Sequence, residues 1–202
     1  MKRMKRDIGK VLEDAIALKQ TPCAAVLLWR GGEEALFKMD GFADIQDNRP
    51  IARDAIYRLY SLSKPMTAVA AMTLVERGML DIVAPVSDFL EGFKNQRVAI
   101  SDTETEPVKR PMQIRDLFTM TSGLPYPGEN SPAERAMGEL FRQMESEKLD
   151  NSPLSTIAAA NRIGQSPLAH HPGEQFLYGT SADVLGAVIE VVSGKPLNEY
   201  MA

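Results

Sequence analysis

Residues 60–67 read YSLSKPMT, which sets the hydroxyl of Ser61 three places before the amine of Lys64 and a proline directly after it. On a helix, positions i and i+3 share a face with Cβ atoms about 5–6 Å apart, so the two side chains can touch. A serine hydroxyl is a weak nucleophile until a neighbour takes its proton. Lysine can be that neighbour only when neutral, and moving its pKa from about 10.4 to about 7 requires roughly 4.6 kcal/mol of differential interaction. The pair therefore predicts a Lys64 sheltered from solvent. A helix start adds unpaired backbone N–H groups and a positive dipole end, which stabilise negative charge on a substrate oxygen. The competing reading is an N-cap serine followed by a solvated lysine. With 12 Ser and 10 Lys in 202 residues, about 0.6 such spacings arise by chance, so the pair needs support from the rest of the chain.

Composition narrows the possibilities. A chain of 202 residues with 44% apolar residues can bury a core and fits one large domain or two small ones. Its 27 Asp and Glu outnumber its 23 Lys and Arg, and without a basic run there is no electrostatic footprint for nucleic acid. Cys23 is the single cysteine and cannot form an internal disulfide; it reads as a free buried thiol. His170 and His171 are the only histidines and are adjacent, so no zinc-like spacing exists and neither metal nor cofactor is expected. The basic opening MKRMKRDIGK is interrupted by Lys10, Glu13 and Asp14 where a signal peptide needs an apolar run. No stretch reaches the 18 or so apolar residues of a membrane span. These features point to a cytoplasmic protein, unless a leader was removed.

The elements that must position the pair fall into two parts. Ile8, Val11, Leu12, Ala15 and Ile16 recur at helical spacing behind Asp7 as a candidate N-cap. Two β-like runs, AAVLLWR (24–30) and EALFKMDG (34–41), flank Gly31-Gly32, a hairpin signal. Trp29 in the first run reads as core or sheet-face packing. From Ser61 onward helices dominate. PMTAVAAMTLVERG has proline in its first turn and Gly78 as its stop, and QIRDLFTM (113–120) is a shorter helix. Ser131-Pro132-Ala133-Glu134 has capping-box spacing and opens a helix to about Lys148. Ser152-Pro153 introduces STIAAANRI, and ADVLGAVIEVVSG (182–194) is strongly apolar and ended by Gly194. Residues 92–111 read as a charged connection or small hairpin, and Met137 and Met144 as packing. The division expected is 1–60, the first helix and strands of an α/β domain, and 61–202, a mainly helical domain. Two strands make a marginal sheet, and PLNEYMA ends inside a helical pattern; the sequence reads as the front part of a longer protein.

Three stretches in order, YRLYSLSKPMTAVAAMTLVERGMLD, RPMQIRDLFTMTSGLP and HPGEQFLYGTSADVLGAVIEVVSGKPL, resemble the serine β-lactamase and penicillin-binding superfamily. The resemblance runs from about Ala24 to the end and extends to class C β-lactamases, DD-peptidases and, closest in motif, family VIII carboxylesterases. It implies a β-lactamase/transpeptidase-like fold of the α/β plus all-α class, truncated here, with a helical domain and an incomplete antiparallel sheet. It makes Ser61 the acylated nucleophile, Lys64 its hydrogen-bonded partner and proton acceptor, and Tyr178 a proton shuttle between them and the leaving group. Class C enzymes carry Tyr-Ser-Asn where this chain has Tyr178-Gly179-Thr180. Thr180, the substrate-binding candidate, has no carboxamide to meet a β-lactam amide, which tilts the expectation toward ester hydrolysis. Ser181 and Asp183 read as helix caps, and Thr121-Ser122-Gly123-Leu124 as a turn.

The expected activity is hydrolysis of a small-molecule ester, β-lactam or D-amino-acid peptide through an acyl-serine intermediate. The alternative is a penicillin-binding-like scaffold that binds without turnover. The superfamily's third motif, which supplies an oxyanion donor worth about 10²–10³ in rate, is expected beyond Ala202, so the missing C-terminal portion or another subunit is an expected partner.

Overall fold

The computed structural model describes residues 2–149 and 154–202. It divides into two compact units, Met1–Leu59 and Tyr60–Ala202. The fold class expected from the motifs, mixed helix with small antiparallel sheets, is the one observed.

In the first unit, helix α1 (Lys2–Ala17) packs on β2 of a three-stranded antiparallel sheet ordered β1 (Cys23–Arg30), β2 (Glu33–Asp44) and β3 (Arg49–Pro50). The β1–β2 turn is a two-residue loop in which Gly31 and Gly32 both have positive φ, 61° and 79°. That is the turn whose twist matches paired strands. Leu12 of α1 and Leu36 of β2 are buried. Three expectations fail here. The helix begins at Lys2, so Asp7 lies inside it and is not its N-cap. Trp29 is 64% exposed, because β1 is an edge strand whose period-2 alternation sends Leu27 and Trp29 to the face opposite Val26 and Leu28. Cys23 opens that same edge strand and is only partly buried.

The second unit is built around α6 (Ser181–Ser193), in which every residue from Val184 to Ile189 is buried. An apolar run without a polar face must be enclosed. It is enclosed by α2 (Ser63–Glu76), α3 (Ile114–Phe118), α5 (Thr156–Gln165) and α7 (Leu197–Met201). The end of α2 follows the pattern read from Gly78: at φ 68°, with Gly78 N–H donating to Val75 O and Met79 N–H to Leu74 O, both at 2.9 Å, it closes a Schellman motif. Helix α4 (Pro132–Leu149) starts with proline in its first position. Ser131 Oγ accepts the Glu134 N–H at 3.2 Å, while the Glu134 carboxylate takes the Asn130 N–H at 2.7 Å, one residue short of the reciprocal capping box. The Ser152-Pro153 start lies outside the described residues; α5 begins at Thr156 and is capped by Ser155, which accepts the Ala158 N–H at 3.2 Å. Residues 92–111 do contain a hairpin, β4 (Arg97–Ala99) with β5 (Thr105–Pro107). Met137 and Met144 are buried as packing residues, and among the described residues no helix is long and apolar enough to cross a membrane.

One ion pair ties the loop before α3 to that helix. Arg110 donates to both oxygens of Asp116, at 2.7 and 2.8 Å, and Asp116 also accepts the Gln113 N–H at 2.8 Å. The Asp116 side chain is 3% exposed, so every lone pair it loses is lost inside the protein. Breaking one partner of such a pair strands the other charge. Because the Arg110 left behind is 32% exposed, Asp116→Ala is expected to lower the unfolding free energy by about 1–3 kcal/mol, mainly through the lost hydrogen bonds, read from urea denaturation followed by far-UV circular dichroism; a change below about 0.5 kcal/mol would show that the pair carries no such weight.

Candidate functional site

The chain enters α2 through a short 3₁₀ turn, Tyr60–Leu62, with Tyr60 in the left-handed region at φ 48°. Ser61 therefore sits one residue outside the helix boundary formed by Leu62, and no side chain caps that boundary. The N-cap reading of Ser61 does not apply. Its exposed hydroxyl is free of backbone duty and accepts a hydrogen bond from Lys64 Nζ at 3.3 Å. Pro65 costs the helix nothing here, since N–H groups of the first turn have no intrahelical partner.

Tyr178 reaches the pair from more than a hundred residues away because two segments are zipped together. Gly173 N–H donates to Thr121 O, Leu177 N–H to Met120 O and Ala169 N–H to Gly123 O, each at 2.8 Å. The fully buried hydroxyls of Ser122 and Ser181 are 2.8 Å apart. Gly179 is pressed so closely on the other segment that a Cβ would lie 1.9 Å from Leu124 O, so no larger residue fits without moving backbone. One product of this zipper is the meeting of Tyr178 with Tyr126, their ring centroids 5.8 Å apart at 59°. Lys64 Nζ lies 4.9 Å from the Tyr178 centroid and 5.4 Å from that of Tyr126.

This geometry sets the proton distribution. Partial burial pulls the Lys64 ammonium down, but the Tyr126 and Tyr178 phenols outweigh it and hold the group above the ordinary lysine value. The Tyr178 phenol is held below its ordinary value, first by the Ser61 hydroxyl and then by the Lys64 ammonium. The sheltered Lys64 that the pair predicts is not what is found: the residue is only partly buried, and its Nζ donates to Ser61 Oγ. Such an arrangement can activate a hydroxyl toward a carbonyl carbon while a fixed cation sits beside the developing charge.

Thr180 is not presented to this site. It is fully buried and its hydroxyl has no partner, because the turn into α6 points it inward. Ser181 and Asp183 are not caps either: the residue before α6 is Thr180, which makes no side-chain cap, Ser181 bonds Ser122, and Asp183 lines a cavity. Sequence reasoning missed Tyr126 and the Ser122–Ser181 pair. Only the SGLPY context hinted at Tyr126, by following a turn with a rigid Pro125. Ser61, Lys64 and Tyr178 line a cavity of about 360 Å³ whose other walls include Phe118, Met120, Phe176 and Leu185. Among the described residues no three His, Cys, Asp or Glu side chains converge to hold a metal.

Comparison with known proteins gives this arrangement its setting. The profile of the Beta-lactamase family matches residues 9–202. Esterase EstB of Burkholderia gladioli is 33% identical over 190 residues, covering 94% of this chain and 46% of that protein. The solved structure of EstCE1, a hydrolase with promiscuous acyltransferase activity, has a TM-score of 0.78 at 31% identity, covering 95% of this chain and 48% of its own. An octameric penicillin-binding protein homologue from Pyrococcus abyssi has a TM-score of 0.66 at 25% identity, covering 96% and 41%. The chain thus spans under half the length of these relatives while matching them along almost all of its own, and it belongs to the Beta-lactamase family.

Proposed function

We propose that this protein is a serine hydrolase of the acyl-enzyme type acting on carboxylic esters, with Ser61 as nucleophile, Tyr178 as general base and acid, and Lys64 as a permanent cation. The observation that carries the reading is the hydrogen bond from Lys64 Nζ to Ser61 Oγ at 3.3 Å, made by an ammonium that also faces the Tyr178 ring. With Lys64 donating, the Ser61 proton passes to the Tyr178 phenolate as Oγ bonds to the carbonyl carbon. Collapse of the tetrahedral adduct breaks the carbon–oxygen bond to the alcohol, which leaves with the proton from Tyr178. Water then attacks the acyl-serine, gives its proton to Tyr178, and releases the acid; the proton returns to Ser61.

Ester over β-lactam substrates is supported by two points. Thr180 stands where a carboxamide would contact a lactam amide, and it is buried. The esterase and the hydrolase among the relatives are at least 31% identical to this chain. D-amino-acid peptides are the substrates least supported by these features. Binding without turnover is the competing outcome of the first test.

Exposure of the protein to a fluorophosphonate, followed by peptide mass spectrometry, is expected to place one adduct on Ser61 and none on the Ser61→Ala protein. An unmodified Ser61 in the native protein would refute the nucleophile assignment. Tyr178→Phe should slow that acylation by about 10²–10⁴-fold, since nothing else accepts the proton.

The pH profile tests the division of labour. The active base is the deprotonated phenol, so acylation rises with pH and its limb lies below the ordinary phenol value of about 10. Lys64→Met removes one of the groups that stabilise the phenolate, so the limb must move upward. A downward move, or a limb unchanged within error, would show that Lys64 does not tune the phenol, and loss of the limb altogether would return the proton-acceptor role to Lys64.

A further inference from the structure

A second cavity shares Lys64 and Ala182 with the first but is not lined by Ser61. Its volume is about 540 Å³, within the range of pockets that take small organic ligands. Its walls are apolar side chains of four regions: Phe141 and Met144 of α4, Leu154 of the segment before α5, Ala159 and Ile163 of α5, and Leu197 of α7. Against this lining stand three charges, the Lys64 ammonium and the carboxylates of Glu145 and Asp183. The ammonium is committed to Ser61 and to the two phenols. Neither carboxylate has an ion-pair or hydrogen-bond partner in another side chain among the described residues. Asp183 is exposed to solvent where it lines the cavity; desolvation still holds its carboxyl above the usual range, against its own backbone N–H and the Lys64 charge. An acid at the third position of α6 also favours the helix dipole, but a dipole contact needs no cavity in front of it.

Building on the reading of Ser61 as nucleophile, we propose that this second cavity is the acyl subsite and that it takes an apolar chain bearing a protonated amine, with Asp183 as the specificity-determining residue. The polarity of the reaction sets which half of the ester goes where. Tyr178, which returns a proton to the departing alcohol, lines the first cavity with Phe176 and Phe118, so the alcohol leaves on that side. The acyl half then extends past Lys64 into the second cavity. There its hydrocarbon covers the walls of α4 and α5, and its ammonium pairs with a solvent-exposed carboxylate that has no side-chain partner.

The methionines provide the readout. Met144 lines this cavity, Met120 the first one, and Met66 and Met201 a separate groove along α2 and α7. The Ser61→Ala protein, labelled with ¹³C at the methionine methyl groups, is titrated with octylammonium, octanol and octanoate, so that binding is read without acylation. Octylammonium should shift the Met144 methyl saturably and bind about tenfold more tightly than octanol, the worth of one charge-assisted hydrogen bond. Octanoate should bind more weakly than either. Asp183→Asn should abolish the preference for octylammonium over octanol, and Asp183→Glu should retain part of it. Shifts confined to Met120 or to Met66 and Met201, equal affinities for the three probes, or an Asp183→Asn protein with its preference intact would each overturn the assignment. A Ser61 adduct with a failed titration would refute this subsite alone; a successful titration without an adduct would leave the subsite standing and remove the hydrolase.

Discussion

The ammonium of Lys64 is the group on which the candidate site turns. It donates to Ser61 Oγ and lies 4.9 and 5.4 Å from the centroids of two aromatic rings, within cation–π range of both. A cation so placed acts on the serine and the phenol differently. It donates to the serine oxygen, and, after the Ser61 hydroxyl, it favours the ionised form of the neighbouring Tyr178 phenol.

Holding that arrangement is the task of the buried polar contacts behind it. The segment around Ser122 and the one around Ser181 carry Tyr126 and Tyr178 respectively, and they meet through backbone bonds and one hydroxyl pair with no exposure to solvent. Buried polar groups of this kind are costly when unpaired and rigid when paired. Gly179 sets how close the two segments come. Helix α6 then fixes the zipper to the core, because its first turn begins at Ser181 and its next residues, Val184 to Ile189, are enclosed. The path from an apolar run to a positioned phenol is thus short: burial of α6 decides where Thr180 and Ser181 point, and that decides where Tyr178 stands.

How far this was legible in the sequence depended on the range of each signal. Local signals served well. Gly31-Gly32 announced its turn, Gly78 and Gly194 their helix ends, Pro132 its helix start, and the unbroken apolar run of residues 184–189 its burial. The nearness of Ser61 and Lys64 also followed from spacing alone. Properties that depend on distant neighbours did not follow. Tyr126 lies 62 positions from Lys64, and nothing in its own surroundings says that the chain returns there. Thr180 looked available because a motif register names a residue and not a direction. Trp29 looked like core because hydrophobicity was weighed without the strand's alternation. The upward bias on Lys64 comes from two phenols, and of these only Tyr178 carries a motif signal.

That last point bears on the proposal that the proton stays on Lys64. Deprotonating an isolated lysine near neutral pH requires about 4.6 kcal/mol, and an isolated phenol with a pKa near 10 requires about 4 kcal/mol. For lysine the means is burial, which Lys64 has only in part. For tyrosine the means is a nearby positive charge and a donor hydroxyl, and both are at hand. The two demands are opposed: a neutral lysine would withdraw the charge that eases ionisation of the phenol, whereas a charged lysine helps it and is helped in return. In the proposed sharing of one proton between the two, lysinium and tyrosinate reinforce each other electrostatically, whereas neutral lysine and neutral phenol do not. Partial exposure of Lys64 is then no defect of the site, since solvent and phenols alike favour the charge that the chemistry uses.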